Sequence, residues 1–375
     1  MSGGGTAGHI YPALTVADAL RADGDEVAFV GTPSGLEARL VPEAGLAFYG
    51  LPARGIDRAR PWTAIGAVAT AIVSTVRALR LMRTFRPDVV MGFGAYVTLP
   101  LGLAADIAGV PLVIHEQNSV PGLANRVMSW WAARIGVTYA ESANYLRGRE
   151  RVMVTGNPVR PAVLASSREG GRKALGIDPG ATVLLVFGGS RGATHLNRAT
   201  LGLYSKLMEL PSVIVVHVTG AADAAEVREK VAAMAGAGPG RYTVIEYLDD
   251  MGGALAAADL IVARAGATSL AEITALGRAA VLVPYPYATD DHQSRNARGL
   301  VEAGAAVVIP DRDLDGPAFA EAVLGLLADP ARRETMAAAS KALGRPDAAA
   351  RVARLATEAV RGEPRSTRKD TKETS

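Results

Sequence analysis

The stretch TVLLVFGGSRGA (residues 182–193) decides the fold class of this sequence. An unbroken apolar run leads directly into a glycine-rich loop. Runs of this kind are typical of parallel strands buried on both faces, whereas strands with one solvated face alternate apolar and polar residues. A strand that ends in a glycine loop ahead of a helix is a repeating unit of doubly wound α/β sheets.

The same unit recurs along the chain, because short apolar runs alternate with Ala- and Leu-rich helical stretches. This alternation predicts parallel strands joined by crossover helices. The predicted strands are residues 27–31, 88–92, 111–115, 135–139 and 152–156 in the first half, and 182–188, 213–219, 242–246, 259–263, 280–284 and 305–310 in the second. We therefore predict an α/β protein of two doubly wound, Rossmann-like domains.

The chain has 375 residues, which is too long for one ordinary core and fits two domains. Two prolines bracket an extended link, GNPVRP, at residues 156–161, and this link predicts the domain boundary. We predict domains at 1–158 and 159–345, a terminal helix at 346–362 and a polar, disordered tail at 363–375.

Composition excludes several kinds of site. The chain has no cysteine, so a disulfide scaffold, a thiolate nucleophile and a Cys-ligated zinc site are ruled out. The net charge of +3 is too small to indicate nucleic-acid binding. An uncharged apolar stretch at residues 62–76 is shorter than the ~20 residues of a membrane-spanning helix.

Glycine loops occupy residues 3–8, 92–96, 188–193 and 264–269. Glycine lets the backbone present successive N–H groups, and a following helix start adds partial positive charge, so such loops suit phosphate. The alternative is that they are only tight turns. In the fourth loop, Thr268 or Ser269 fits a helix N-cap with Glu272 supporting the helix start, or Glu272 accepts hydrogen bonds from a ribose.

The first loop is unusual because only Met1 and Ser2 precede it. Such a loop ordinarily follows a strand of the sheet. We therefore expect roughly five strand-forming residues upstream of Gly3, and we expect the first sheet to be less stable without them.

Several segments, in this order, resemble the MurG family of undecaprenyldiphospho-muramoylpentapeptide beta-N-acetylglucosaminyltransferases. They are GGGTAGHIYPAL (3–14), GFGAYVTLP (92–100), HEQNSVPGLANR (115–126), GNPVR (156–160), GGSRGATHLN (188–197), RAGATSLAEITALGRAAVLVPYP (264–286) and DDHQSRNA (290–297). The resemblance implies a GT-B fold of two Rossmann-like domains with a cleft between them. It implies a hexosyltransferase that uses UDP-GlcNAc as donor and lipid I as acceptor.

The implied reaction is an inverting transfer of N-acetylglucosamine to the muramoyl C4 hydroxyl of lipid I, which gives lipid II for peptidoglycan and requires no cofactor and no tightly held metal. In this comparison, residues 1–158 face the acceptor and the membrane, and residues 159–345 bind the UDP-sugar. The resemblance also implies a peripheral location at the cytoplasmic face of the cell membrane. Its partners would be an anionic membrane surface and other cell-wall synthesis proteins, with no nucleic acid.

The family's site residues carry over where the motifs match. His9 corresponds to the candidate general base, and Glu116 is the alternative base. On the donor side, residues 267–271 would hold the diphosphate, Glu272 the ribose and Gln293 the sugar hydroxyls. The substrate-binding positions are Thr6, Ala7, Gly8, Tyr96, Asn118, Arg160, Ser190, Leu248 (at the uracil), Ala267, Thr268, Ser269, Leu270, Ala271, Glu272 and Gln293.

One departure from the family pattern lies in the second loop. Ala95 stands where the family usually has glycine, which costs backbone freedom if the position requires a positive φ.

Residues 54–86 carry seven arginines and one acidic residue, Asp57. Within them, one helical stripe holds Ile65, Val68, Ile72, Val76 and Leu79, with Trp62 at its start. Such a helix fits the headgroup region of an anionic membrane. The alternative is an amphipathic helix packed on its own sheet with solvated arginines.

Two other functions remain open from the sequence. One is a GT-B transferase for another lipid or natural-product acceptor, which would leave the HEQN motif and the basic apolar helix unexplained. The other is a UDP-sugar-binding protein without turnover. Release of UDP from UDP-GlcNAc in the presence of a lipid I analogue separates all three.

Overall fold

The computed structural model describes residues 1–55, 63–189, 193–235 and 241–362, and the predicted tail at 363–375 lies outside them. The chain forms two compact units. Unit 1 contains Met1–Glu116, Pro121–Thr155 and the C-terminal part from Ala350, and unit 2 contains Gln117–Val120 and Gly156–Ala349.

Unit 1 is an α/β unit in which every paired strand is parallel. Its strands form the groups β2-β1 and β3-β4-β5-β6. They are β1 (Ala28–Gly31), β2 (Ala47–Gly50), β3 (Val90–Gly92), β4 (Leu112–Glu116), β5 (Arg134–Val137) and β6 (Val152–Val154). The helices are α1 (Ala7–Ala22), α2 (Glu37–Glu43), α3 (Thr63–Phe85), α4 (Thr98–Ile107) and α5 (Leu123–Met128), with 3₁₀ turns at Ala140–Tyr145 and Arg149–Arg151.

Met1 and Ser2 join the two groups of strands. The Val30 N–H donates to the Met1 carbonyl at 2.8 Å, and the Ser2 N–H donates to the Met91 carbonyl at 2.8 Å. The Phe93 N–H donates to the Ser2 carbonyl at 2.7 Å. Ser2 thus bridges β1 and β3 in parallel, and the first glycine loop leaves the sheet from this two-residue bridge. Ser2 is buried and bonded on both sides, so these two residues attach the first loop to the sheet, and the expectation of further strand residues upstream stays a prediction.

Each strand predicted from the sequence is present, with ends that differ by at most two residues. The strand β2 was not predicted. It has only four residues, is mostly exposed and pairs with β1 at the edge of the sheet, so it lacks the continuous apolar run of a central strand.

Unit 2 has a parallel sheet in the order β12-β11-β10-β7-β8-β9, the Rossmann order. The order reverses between β7 and β10, and ligands of such sheets bind beyond the strand ends at this switch point. The third and fourth glycine loops follow these two strands. The strands are β7 (Thr182–Phe187), β8 (Val213–Val218), β9 (Tyr242–Ile245), β10 (Leu260–Ala263), β11 (Ala279–Leu282) and β12 (Ala306–Val308).

The helices of unit 2 cover both faces of its sheet, where two apolar clusters form the core. They are α6 (Pro161–Leu164), α7 (Arg168–Ala174), α8 (Thr194–Gly202), α9 (Tyr204–Met208), α10 (Ala224–Ala235), α11 (Met251–Ala257), α12 (Ala267–Leu276), α13 (His292–Glu302), α14 (Pro317–Ala328) and α15 (Pro330–Leu343), with 3₁₀ turns at Thr289–Asp291 and Asp311–Asp313.

The last helix, α16 (Ala348–Arg361), returns to the core of unit 1. Val352 and Leu355 are fully buried there, packed in the cluster that also holds Ile10 and Phe29. The C-terminal helix therefore completes the core of the N-terminal half, which sequence order alone does not indicate.

The helix α3 is amphipathic. One face is buried and the opposite face exposes apolar side chains, of which Ile72 is 61% exposed. Three of the five residues of the predicted stripe, Val68, Ile72 and Val76, lie on the exposed face. Leu79 is a correction, because it packs against the core of unit 1. No helix in the described residues has the length and hydropathy to cross a membrane, and the side chains of Trp62 and Ile65 lie outside the described part.

Candidate active site

The first glycine loop of unit 1 presents His9 at the start of α1. Thr6 is the N-cap with extended backbone, so Ala7, Gly8 and His9 form the first helical turn. His9 Nδ1 lies 3.1 Å from the Gly4 carbonyl oxygen and 3.3 Å from Thr6 Oγ1. A carbonyl oxygen only accepts, so Nδ1 carries the proton of this bond. In the neutral ring, Nε2 is then left with its lone pair and can accept a proton.

The second glycine loop lies against the same histidine. A Cβ on Gly94 would be 3.2 Å from His9 Cδ2, so glycine here allows the imidazole to pack on the backbone. Gly94 has a φ of 93° and Ala95 a φ of 74°. The backbone at Ala95 is therefore strained, as the sequence suggested, because this position requires the left-handed region, which is unfavourable for a residue with a Cβ. Tyr96, the last residue of the loop, is exposed.

Glu116, the alternative base, is buried at the end of β4. Its Oε2 accepts hydrogen bonds from Asn125 Nδ2 at 2.9 Å and from the Gly122 N–H at 3.1 Å. These bonds tie the strand to the start of α5, which is an anchoring role. The half-buried His9 is better placed to meet a substrate than this enclosed carboxyl group.

Asn118 belongs to the short segment that packs with unit 2. Its Oδ1 accepts a hydrogen bond from Asn296 Nδ2 at 3.2 Å, and Asn296 Oδ1 accepts one from the Ser119 N–H at 2.8 Å. Asn296 is fully buried on α13. Sequence reasoning missed its role, although it lies three residues after Gln293 on one helix face, a spacing that links the two.

The fourth glycine loop starts α12 without a side-chain cap. The N-cap is Gly266 with extended backbone, so the predicted capping by Thr268 or Ser269 is wrong. Thr268 and Ser269 lie inside the first turn and are half-buried. Ala267 to Ala271 form the first turn of α12 and the start of the second. The N–H groups of this turn are the kind of donor that binds phosphate at a helix N-terminus.

Arg160 and Glu272 form the main charged pair of this region. Arg160 Nη2 and Nε donate to Glu272 Oε1 at 2.9 and 3.1 Å. Burial raises the pKa of Glu272 above its usual range, and Arg160 opposes that shift. Glu272 therefore does not cap the helix; the arginine holds its carboxyl group in one orientation. Asn157 Nδ2 contacts Thr268 Oγ1 at 3.5 Å beside them.

The remaining predicted donor residues that the structure describes are Gln293, near the start of α13, and Leu248. The Tyr285 N–H donates to Gln293 Oε1 at 2.9 Å, which fixes the amide of the half-buried Gln293. Leu248, in the loop after β9, packs against the apolar core. Ser190 lies outside the described residues.

A second charged cluster joins the loops of unit 2, and sequence reasoning missed it. His195 Nδ1 lies 2.7 Å from Asp311 Oδ2, and Arg264 lies 2.6 Å from the other oxygen of Asp311. The hydrogen bond that His195 donates to the Asp311 carboxylate raises the pKa of His195. Asp311 thus joins the start of α8, after the third glycine loop, to Arg264 of the fourth loop.

Comparisons with known proteins agree with this architecture. Sequence models of glycosyltransferase family 28 match residues 1–137 as its N-terminal domain and residues 183–352 as its C-terminal domain. A protein of Desulforudis audaxviator named UDP-N-acetylglucosamine–N-acetylmuramyl-(pentapeptide) pyrophosphoryl-undecaprenol N-acetylglucosamine transferase is 46% identical over 352 residues, which are 93% of this chain and 94% of its own. A protein of the same name from Lactiplantibacillus plantarum is 42% identical over 93% of this chain and 96% of its own.

A solved structure leads to the same family. The crystal structure of Acinetobacter baumannii MurG superposes with a TM-score of 0.76 at 29% identity and covers 96% of this chain and 98% of its own. The two Rossmann-like units are those of the GT-B fold. The chain belongs to the MurG family of glycosyltransferases within glycosyltransferase family 28.

Proposed function

We propose that this protein transfers N-acetylglucosamine from UDP-GlcNAc to the muramoyl C4 hydroxyl of lipid I, with inversion, and so forms lipid II for peptidoglycan. The relatives above are named as transferases for that donor and an N-acetylmuramyl-(pentapeptide) pyrophosphoryl-undecaprenol acceptor. The single observation that carries the proposal is the first loop of unit 1, where a half-buried histidine offers Nε2 at the start of a helix.

His9 is the proposed general base. The acceptor is an alcohol, so its proton must leave as the new C–O bond forms, and a positioned base contributes ~10²–10⁴ in rate. With Nδ1 bonded to the Gly4 carbonyl, Nε2 takes the proton. Thr6, Ala7, Gly8 and Tyr96 of unit 1 and Asn118 of unit 2 are proposed to contact the substrates.

Unit 2 is proposed to hold the donor. UDP leaves with negative charge on its diphosphate, and the N–H groups at the start of α12 stabilise that charge. Glu272 accepts from the ribose while Arg160 keeps its carboxyl oriented. We propose contacts with the uracil for Leu248, with the sugar hydroxyls for Gln293 and with the donor for Arg160 and Ser190.

The proposal is tested by UDP release from UDP-GlcNAc with and without a lipid I analogue. We expect release that depends on the acceptor, and a loss of about 10²–10⁴ in kcat for His9→Ala with donor binding retained. Donor binding without turnover in the wild type would instead identify a UDP-sugar-binding protein. Wild-type turnover by His9→Ala would remove His9 from the mechanism.

The same proposal includes peripheral attachment to an anionic membrane surface at its cytoplasmic face, because the acceptor is lipid-linked. The support comes from α3, where Val68, Ile72, Val73 and Val76 are exposed beside the exposed Arg77, Arg80 and Arg83. An apolar face flanked by arginines fits the headgroup region. Other cell-wall synthesis proteins stay predicted partners.

Changing Ile72 and Val76 together to Asp is expected to release the protein from anionic vesicles while leaving turnover of a short-chain, water-soluble acceptor unchanged. The reason is that the new carboxylates repel the headgroups and remove the apolar contact. Co-sedimentation with vesicles measures the effect. The matched control is Met234→Asp with Val301→Asp, two exposed apolar positions of unit 2. A joint loss of vesicle binding and soluble turnover would mean that the stripe stabilises the fold.

A further inference from the structure

Glu37 is a fully buried acidic residue that the proposed mechanism does not use. It is the first residue of α2, and its Oε1 accepts a hydrogen bond from the Thr32 N–H at 2.9 Å. Its Oε2 is buried and has no hydrogen-bond partner among the described residues. A buried polar atom without a partner is costly, so its retention calls for a reason.

Three glycines from two places in unit 1, the first glycine loop and the end of β1 with its following loop, make room for this side chain. A Cβ on Gly4 would lie 2.4 Å from Glu37 Oε1, and one on Gly35 would lie 2.4 Å from Glu37 Oε2. A Cβ on Gly31 would lie 2.4 Å from Glu37 Cγ. Real Cβ atoms do not approach so closely, so the glutamate packs directly on backbone. Its carboxyl group connects the loop after β1 with the first glycine loop.

Gly4 is also the residue that holds His9. Its carbonyl oxygen accepts from His9 Nδ1 at 3.1 Å, and its Cα lies against the carboxyl group of Glu37. Glu37 and His9 therefore contact the same residue, and the carbonyl of that residue bonds to Nδ1 of His9. Gly5, the next residue, has a φ of 76°. Glycine adopts many backbone conformations, so Gly5 by itself does not hold the Gly4 carbonyl in one orientation.

We propose that Glu37 is a positioning residue for His9. By packing against Gly4, it fixes the carbonyl that keeps His9 in the Nδ1-protonated form, with Nε2 directed to the acceptor hydroxyl. The inference rests on the proposed function, in which His9 is the base. Glu37 itself touches no substrate.

Turnover and histidine tautomer are measured in three variants. Glu37→Ala is expected to lower kcat by about 10- to 100-fold, because small displacements of a reacting group have effects of that size. The KM for UDP-GlcNAc is expected to stay unchanged, because unit 2 binds the donor. Glu37→Gln keeps the shape and an acceptor for Thr32, so it should restore most of the rate. The control is Glu43→Ala, an exposed acid on the same helix that pairs with Arg39, which should behave as wild type.

Nitrogen-15 NMR of the histidine rings, with His9 assigned by its absence in His9→Ala, reports the tautomer directly. We expect Nδ1–H in the wild type and in Glu37→Gln, and a mixture of tautomers in Glu37→Ala. Nε2–H in the wild type, or an unchanged tautomer and kcat in Glu37→Ala, overturns the inference. Because this readout needs no turnover, it is separate from the test of the proposed function.

A steric variant that keeps Glu37 covers the case in which Glu37→Ala does not fold. Gly4→Ala places a Cβ against the Glu37 carboxyl group and should disturb the His9 tautomer. An unchanged tautomer in Gly4→Ala overturns the inference. Where Glu37→Ala folds, adding it to Gly4→Ala removes the clash and should recover part of the Nδ1–H population and of the rate. A double variant no better than Gly4→Ala alone would show that the contact does not position His9.

Discussion

Unit 1 and unit 2 each bury a glutamate beside a glycine loop, and they accommodate it in opposite ways. In unit 1, Glu37 is enclosed by glycines and has one oxygen without a hydrogen-bond partner among the described residues. In unit 2, Arg160 Nη2 donates a hydrogen bond to Glu272 Oε1 at 2.9 Å. The first carboxyl group packs against glycine backbone, and the second is paired with a charged side chain, which under the proposed function leaves it oriented toward the ribose.

Unit 2 also contains a second group of buried polar side chains that are paired with one another. A buried chain of hydrogen bonds joins Tyr242 to His217 at 2.8 Å, His217 to Asn197 at 3.0 Å and Asn197 to Asp223 at 2.7 Å. Asp223 then accepts from Thr194 at 3.0 Å, at the start of α8. The chain ties the helix after the third glycine loop to β8 and β9. Variants in each unit can break or sharpen the comparison.

Among the variants that test this comparison, the largest effect on donor binding is expected at Glu272. Glu272→Ala should raise the KM for UDP-GlcNAc by about 10- to 100-fold and change kcat little, because a hydrogen bond to a charged group contributes about 1.5–3 kcal/mol. Arg160→Ala should act in the same direction, since the carboxyl group loses its orientation. Steady-state UDP release measures both parameters.

The matched control is Glu302→Ala, an exposed acid of unit 2 paired with Arg298, which should leave both parameters as in the wild type. An unchanged donor KM in Glu272→Ala would mean that the pairing of Glu272 with Arg160 only stabilises the fold. The contrast between Glu272 and Glu37 would then not hold.

An effect of comparable size, on stability rather than on donor binding, is expected from His217. Burial lowers its pKa from 6.5 to about 4, so the unfolded chain binds this proton first. Stability from the neutral ring is complete above about pH 6.5 and is lost as the pH falls toward 4, by about 3 kcal/mol in total. Denaturant unfolding of unit 2 between pH 7 and 4 should show this loss. His217→Gln, which keeps both hydrogen bonds, should flatten the pH dependence; equal slopes for the two proteins would contradict the prediction.

The smallest effect is expected from Ala95 of unit 1. With a φ of 74° it lies in a region that costs a side chain about 1–2 kcal/mol. Ala95→Gly should relieve this strain and stabilise the protein by about 1 kcal/mol after the added entropy of glycine in the unfolded chain. Thermal melts test it, with Ala108→Gly as the control because Ala108 has a φ of -83°. A gain of equal size at Ala108 would exclude strain relief as the cause.

The fold was largely predictable because its signals are local. Each predicted strand is present, since short apolar runs followed by glycine, such as residues 182–188, favour a parallel strand buried on both faces. The edge strand β2 and the cap at Gly266 were not predicted correctly. The first is exposed, and the second depends on where the chain leaves β10 rather than on a side chain.

The sequence by itself determined the α/β class, the glycine loops and the family, because these depend on residue types at fixed spacing. Only the tertiary structure decided which side chains meet. Glu37 reaches Gly4, Asn296 holds Asn118, and α16 returns to unit 1. Such contacts join residues far apart in the chain, and their energy depends on burial and on the direction of each group. The pattern of residues along the chain specifies neither burial nor the direction of a group, because both are set only when the sheets have formed and hold the ends of the loops.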